Sequence, residues 1–213
     1  MSSLFNDESP TLEPIAEGAI LLRGFALADA PQILEELKKI SEHAPPRHMI
    51  TPGGHSMSVA MTNCGTSGWT TDRRGYRYAT IDPETNRPWP PMPNIFFELA
   101  VRAAAAAGYR NFDPDSCLIN FYEPKSKMSL HQDKNEQDYS QPIVSVSLGL
   151  PATFLFGGME RSSLTRKIRL EHGDVAVWGG ISRLVYHGIA PLKPGNHPEA
   201  GSWRINLTFR KSL

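Results

Sequence analysis

The chain lacks an excess of either charge: Lys and Arg together number 22, as do Asp and Glu. A neutral total excludes a uniform basic coat for nucleic acid. Any such partner must be met by a local basic patch. Cysteine is scarce. Cys64 and Cys117 are the two present, too few for a disulfide framework and without C-x-x-C metal spacing, which fits a reducing compartment. No apolar run approaches the ~18 residues of a membrane span. Met1 to Pro14 is polar and acidic, without the charged-then-apolar order of a secretory signal. The expectation is a cytoplasmic protein that avoids membranes and, by default, is a monomer.

Proline and glycine are plentiful, at 18 and 17, which favours many turns and short strands over long helices. A length of 213 residues suits one domain with a sizeable core. We expect a loose tail over 1–14 and a single domain over 15–213. Ala19–Leu22 predicts a strand. Asp29 is placed to cap a helix near Pro31–Ser41, with Ile33, Leu34, Leu37 and Ile40 at helical spacing. A second, Ala-rich helix is predicted over Asn94–Ala107 and stopped by Gly108.

Between the helices, residues 45–93 are dense in Pro and Gly. Met57–Thr62 alternates and predicts one strand; the rest reads as a long loop or hairpin region. A segment of this kind is usually a lid or binding loop. Its Trp69, Tyr76 and Tyr78 stand near Arg73, Arg74 and Arg77. Such rings can stack on bases while arginines meet phosphates. They can equally tether the loop to the core.

From residue 116 onward the period becomes two. Ser116–Tyr122, Ile143–Leu150, Thr153–Phe156, Arg166–Glu171, Asp174–Trp178 and Trp203–Arg210 are predicted strands. Glu171-His172-Gly173-Asp174 is a turn signal that predicts a hairpin between its two neighbours. Helices first and many short strands afterwards indicate an α+β, mainly β fold. The form is an antiparallel sandwich or jelly roll with helices on one outer face.

Two stretches carry chemistry. In Leu130-His131-Gln132-Asp133 the spacing sends an imidazole and a carboxylate to one side of an extended segment. With a second His they would form a two-His-one-carboxylate set that leaves open positions on Fe(II). His172-Gly173-Asp174 has the same spacing in a predicted tight turn. The third ligand has five candidates, His43, His48, His55, His187 and His197. Spacing alone chooses neither the motif nor the partner. In the last strand, Arg204, Asn206, Thr208 and Arg210 share one face. That face is either solvated or paired with a small dicarboxylate.

The combination of His131-x-Asp133, His187 and Arg204-x-Asn206-x-x-x-Arg210 resembles the AlkB family of Fe(II)/2-oxoglutarate-dependent dioxygenases. The likeness extends to Thr51-Pro52-Gly53-Gly54, Gly68-Trp69-Thr70-Thr71, Leu118-Ile119-Asn120 and Pro142–Pro151, covering the chain from about residue 14 onward. It implies a double-stranded β-helix (a jelly-roll variant) over about 116–213, with outer helices and a nucleotide-recognition lid over about 45–93. It also implies Fe(II), 2-oxoglutarate and O2, and oxidative demethylation of 1-methyladenine or 3-methylcytosine in DNA, preferably single-stranded, or in RNA. Carried over by position, His131, Asp133 and His187 would hold iron. Asn120, Tyr122, Arg204, Asn206 and Arg210 would hold 2-oxoglutarate. Met61, Trp69, Tyr76, Lys127, Lys134, Asn135 and Arg161 would meet the substrate. Two positions depart from the family pattern: Asn135 replaces an acidic residue, and His55 replaces a Tyr. Alternatives are an oxygenase acting on a protein or small molecule, and a non-catalytic single-strand binder.

Overall fold

The computed structural model describes residues 11–213. In chain order the elements begin with β1 (Leu12–Ala16), β2 (Ala19–Leu22), α1 (Ala30–His43), β3 (Arg47–Ile50) and β4 (Ser56–Gly65). Next come β5 (Gly68–Asp72), β6 (Gly75–Ala79), β7 (Ile81–Asp82), β8 (Arg87–Pro88) and α2 (Asn94–Ala106). Then follow β9 (Ser116–Tyr122), β10 (Met128–His131), β11 (Ile143–Gly149), β12 (Ala152–Phe156) and β13 (Arg166–Leu170). The last are β14 (Val175–Trp178), β15 (His187–Ile189) and β16 (Arg204–Arg210).

A large sheet runs β1-β2-β14-β11-β16-β9-β4-β3, and a smaller one runs β10-β15-β12-β13. Every pairing is antiparallel. Facing each other, the two sheets make the expected jelly roll. Among the described residues no helix is long and apolar enough to cross a membrane.

The large sheet has a core on each face. On the outside, α1 contributes Ile33, Leu37 and Ile40, and α2 contributes Phe96, Leu99 and the small Ala100, Ala103 and Ala104. They pack on Val144, Val146, Val175, Val177, Ile205, Leu207 and Phe209. Each fully buried Leu, Ile or Phe contributes about 2 kcal/mol, so this layer commits the apolar face of the sheet to the helices. Asp29 flanks α1 as predicted, but its side chain makes no cap hydrogen bond. Its Oδ2 instead accepts from Arg102 Nη2 of α2 at 2.6 Å, joining the two helices.

Three expectations are corrected. Leu12–Pro14, expected in the tail, instead pair with Ile20–Leu22 as part of β1, because β2 offers them a sheet edge. Residues 1–10 lie outside the described residues. The 45–93 region is not mostly loop. β4 pairs along β9 from Ala60 to Gly65, and β3 pairs with β4, so both belong to the large sheet. What overhangs the cavity is the β3–β4 turn and the β5–β6 hairpin. Finally, β13 and β14 form no hairpin. β13 pairs with β12 in the small sheet, and β14 lies between β11 and β2 in the large one. The turn at Glu171–Asp174 carries the chain from one sheet to the other, an outcome that a local turn signal shares with a hairpin.

Candidate active site

The polar face of β16 points into the space between the sheets. Arg204, Asn206, Thr208 and Arg210 are all buried, as are the apolar residues between them. The solvated-face alternative is therefore excluded. β11 and β9 add to the same interior. Asn206 stands opposite both Ser147 and Asn120, Thr208 opposite Ser145, and Arg204 opposite Tyr122. The period of two that buried valines outside thus lines the inside with hydrogen-bonding groups. The enclosed cavity has a volume of about 660 Å³, and every site residue carried over from the resemblance lines it.

At its centre, His131, Asp133 and His187 place one ligand atom each within 4.8 Å of one another. Strand register explains how positions 56 residues apart in sequence meet: His131 is the direct cross-strand partner of His187 on β10 and β15. Gly188 allows the two strands to approach, since a Cβ there would stand 2.6 Å from the Met128 carbonyl oxygen. His131 Nδ1 lies 2.8 Å from the Ser129 carbonyl and His187 Nδ1 lies 3.0 Å from that of Val185. A carbonyl accepts only, so each Nδ1 carries the proton and each Nε2 presents its lone pair. Both Nε2 atoms lie 3.7 Å from an Asp133 carboxylate oxygen. Burial, then neighbouring His131, pushes the His187 imidazole down to about 4, which keeps it neutral and ligand-ready. Burial opposes the Asp133 charge, but the hydrogen-bonded Arg210 guanidinium outweighs it and holds the carboxyl well below its usual range. This donor set fits a divalent iron: two neutral imidazoles and one carboxylate, gathered on one side.

The two arginines of β16 differ. Arg210 gives Nη2 (2.7 Å) and Nε (3.1 Å) to Asp133 Oδ2. Arg204 donates to Ser147 Oγ at 3.2 Å and lies 4.9 Å over the Tyr122 ring. Its Nε and Nη1 are buried with no hydrogen-bond partner, and it is 1% exposed. Burial lowers its pKa, yet a guanidinium stays protonated in proteins. A buried cation without a partner is costly, so this position fits an anionic ligand group. Asn120 Nδ2 donates to Asn206 Oδ1 (3.1 Å), and Asn206 Nδ2 donates to Ser145 Oγ (2.8 Å), which braces the floor between the two arginines.

At the mouth, Trp69 of β5 stacks on Tyr76 of β6 with centroids 5.7 Å apart. Trp69 Nε1 donates to Asn135 Oδ1 at 3.1 Å, so the acceptor of Asn135 is already engaged. Met61 lies fully buried beneath. Lys127, Lys134 and Arg161 are exposed at the rim, with Arg161 held by the Leu130 carbonyl at 2.6 Å and over Tyr186. His55 sits on the β3–β4 turn, its backbone N–H bonded to Thr51 Oγ1. The competing motif is elsewhere: His172 Nδ1 accepts from the Gly149 N–H at 3.0 Å, and Asp174 binds Arg23 at 2.7 Å.

A family model described as the 2OG-Fe(II) oxygenase superfamily matches residues 18–210. The chain is 58% identical to the alpha-ketoglutarate-dependent dioxygenase AlkB of Escherichia coli K12, covering 100% of this chain and 98% of that one. The chain belongs to the AlkB family of 2OG-Fe(II) oxygenases. It is also 31% identical to the Arabidopsis thaliana DNA N(6)-methyladenine demethylase ALKBH1D over 92% of this chain and 50% of that protein. The solved structure of OsALKBH1 superposes with a TM-score of 0.79 at 31% identity, over 94% of this chain and 100% of that one. The protein is accordingly an Fe(II)/2-oxoglutarate-dependent dioxygenase.

Sequence reasoning passed over Tyr78 as an individual contact and missed Glu136 and Arg183 altogether. Tyr78 OH donates to Glu136 Oε1 at 2.6 Å, and Arg183 Nη2 to Glu136 Oε2 at 3.1 Å. Glu136 follows Asp133 in an irregular loop, where no periodicity marks a side chain as buried.

Proposed function

We propose that this dioxygenase removes alkyl groups from N-alkylated bases such as 1-methyladenine and 3-methylcytosine, in single strands or in duplexes from which the base is extruded. One observation carries the reading: a stacked Trp69–Tyr76 wall, with a basic rim, opens directly onto the His131–Asp133–His187 triad through one cavity. A flat, π-faced slot over an oxidising centre suits a flipped base. The names carried by the relatives, dioxygenase and DNA demethylase, support the same class.

His131, Asp133 and His187 would hold Fe(II), which with 2-oxoglutarate and O2 supplies the oxidation of a C–H bond while 2-oxoglutarate leaves as succinate and CO2. The chain's own work is positioning. Arg204 would take the distal carboxylate of 2-oxoglutarate, with its Nε and Nη1 now unpartnered, beside Tyr122. Arg210 holds Asp133 Oδ2 and so fixes the orientation of the carboxylate that would bind the metal. Asn120 and Asn206 keep the floor polar and rigid. Trp69 would cover one face of the base and Tyr76 would stand at the strand, with Met61 closing the pocket behind. Lys127, Lys134 and Arg161 would meet phosphates despite the chain's zero net charge, so affinity should fall with salt. Asn135 in place of an acidic residue gives the base slot no fixed negative charge. The hydroxymethyl product of an N-methyl group loses formaldehyde and restores the pairing edge.

The test is formaldehyde release from an oligonucleotide containing 1-methyladenine, supplied with Fe(II), 2-oxoglutarate and O2. Wild type should release formaldehyde and restore adenine. His131→Ala with undiminished turnover would refute the assignment. Trp69→Ala should lose the oligonucleotide while uncoupled 2-oxoglutarate turnover persists. Retained affinity in that variant would point to a protein or small-molecule substrate.

A further inference from the structure

Four charged groups are buried together beside the triad and are not all explained by metal or cosubstrate binding. Glu136 accepts from Tyr78 OH at 2.6 Å and from Arg183 Nη2 at 3.1 Å, and its Oε1 forms an ion pair with Arg210 Nε at 3.4 Å. Arg183 also donates to the Asp133 backbone carbonyl at 2.7 Å. Arg210 continues to the Asp133 carboxylate at 2.7 Å. The Glu136 and Arg183 side chains are only 2% and 3% exposed. Two carboxylates and two guanidinium groups thus neutralise one another in a space that water hardly enters, where removal of any one leaves an uncompensated charge.

This cluster has a handle outside the barrel. Tyr78 lies on β6 directly opposite Trp69 on β5. These cross-strand neighbours bind successive residues of the loop after the metal carboxylate: Trp69 reaches Asn135 and Tyr78 reaches Glu136. Burial pushes the Tyr78 phenol well above its ordinary value, so it acts as a donor. The hairpin that overhangs the cavity is therefore latched at two points onto the loop that carries Asp133.

We propose that Glu136 is a positioning residue that couples the seating of the β5–β6 hairpin to the geometry of the Asp133 carboxylate, through Tyr78 on one side and Arg210 on the other. The proposal rests on the nucleotide-binding reading of the hairpin. A seated hairpin holds Glu136, Glu136 holds Arg210, and Arg210 orients Asp133 Oδ2. By linkage, metal occupancy and substrate affinity must then raise each other by one common factor.

The test uses the full chain, Mn(II) with 2-oxoglutarate as a redox-silent filling, and a labelled single strand containing 1-methyladenine. Fluorescence anisotropy gives strand affinity with and without metal, and calorimetry gives Mn(II) affinity. In wild type, Mn(II) loading should tighten strand binding about fivefold or more. Tyr78→Phe, which removes one hydroxyl and keeps the ring, should bring that factor close to one while the apo protein melts within a few degrees of wild type. Glu136→Gln should weaken Mn(II) binding about tenfold, and adding Tyr78→Phe to it should change the coupling factor no further. A wild type whose strand affinity ignores metal overturns the proposal. So does a Tyr78→Phe variant that keeps the full factor, or a folded Glu136→Gln variant with wild-type Mn(II) affinity. Should Glu136→Gln fail to fold, Tyr78→Phe decides. If wild type binds no strand under any condition, the nucleic-acid reading fails by itself, and Mn(II) affinity in the two variants judges the metal half of the relay.

Discussion

The chain contains His-x-Asp twice, and the fold gives the two copies opposite surroundings. In His172-Gly173-Asp174 the polar atoms are largely used up. His172 Nδ1 takes the Gly149 N–H, and the carboxylate of Asp174 takes Arg23, the Gly24 N–H and the Glu171 N–H. Gly173 has φ +84°, a left-handed conformation that glycine adopts without strain. This copy is a turn that closes on itself. At His131-Gln132-Asp133 the imidazoles of His131 and, from β15, His187 turn a bare Nε2 toward the Asp133 carboxylate, and Arg204 waits nearby with two buried donors unpartnered. Spacing is common to both copies. What separates them is whether the buried polar groups are satisfied from within, and a native interior leaves few such groups unpaired without a reason.

Four substitutions probe that contrast, the most damaging first. His131→Ala should reduce demethylation to background while the melting temperature moves little, because the residue is half exposed. Comparable turnover in this variant would place the metal elsewhere. Arg204→Met removes the waiting guanidinium. It should raise the KM for 2-oxoglutarate about a hundredfold, the loss of a charge-assisted bidentate pair, with Mn(II) affinity changed far less. Asp174→Ala should behave in the reverse manner. It strips a 4% exposed carboxylate from two backbone donors and an arginine, so chemical denaturation should show a loss of about 3 kcal/mol, with specific activity of the folded protein retained. The smallest effect concerns pH. Burial holds the His172 imidazole below its ordinary 6.5, so the folded state binds fewer protons than the unfolded state. Its contribution is full above the unfolded value and declines as pH falls below it. In His172→Asn, which keeps a neutral acceptor for Gly149, the drop in melting temperature from pH 7 to pH 5 should be shallower than in wild type.

Much of this was legible in the sequence. Period-two alternation marked β9, β11, β14 and β16, and the spacing of Ile33, Leu37 and Ile40 marked α1. The sides of β16 were correctly separated, but which side met water was not readable. A strand with apolar and polar faces looks the same whether helices or solvent cover it, and here helices cover the apolar face while the polar face is enclosed. By spacing His187 is one candidate among five; the family resemblance singles it out, and the β10–β15 register sets it opposite His131. The crossing at Glu171–Asp174 read as a hairpin because a turn residue records the local bend and not the destination of the next strand. β3, β5 and β6 were hidden by the Gly and Pro around them. Glu136 and Arg183 left no trace, since their burial arises from contacts between segments 47 residues apart.

Every role assigned to the cavity depends on where the metal binds. Mn(II) titration in the presence of 2-oxoglutarate, monitored by the electron paramagnetic signal of the free ion, compares wild type, His187→Ala and His172→Ala. Wild type and His172→Ala should each bind one Mn(II) tightly per chain, and His187→Ala none. Retention of the ion by His187→Ala, or its loss from a folded His172→Ala, would contradict this placement of the metal.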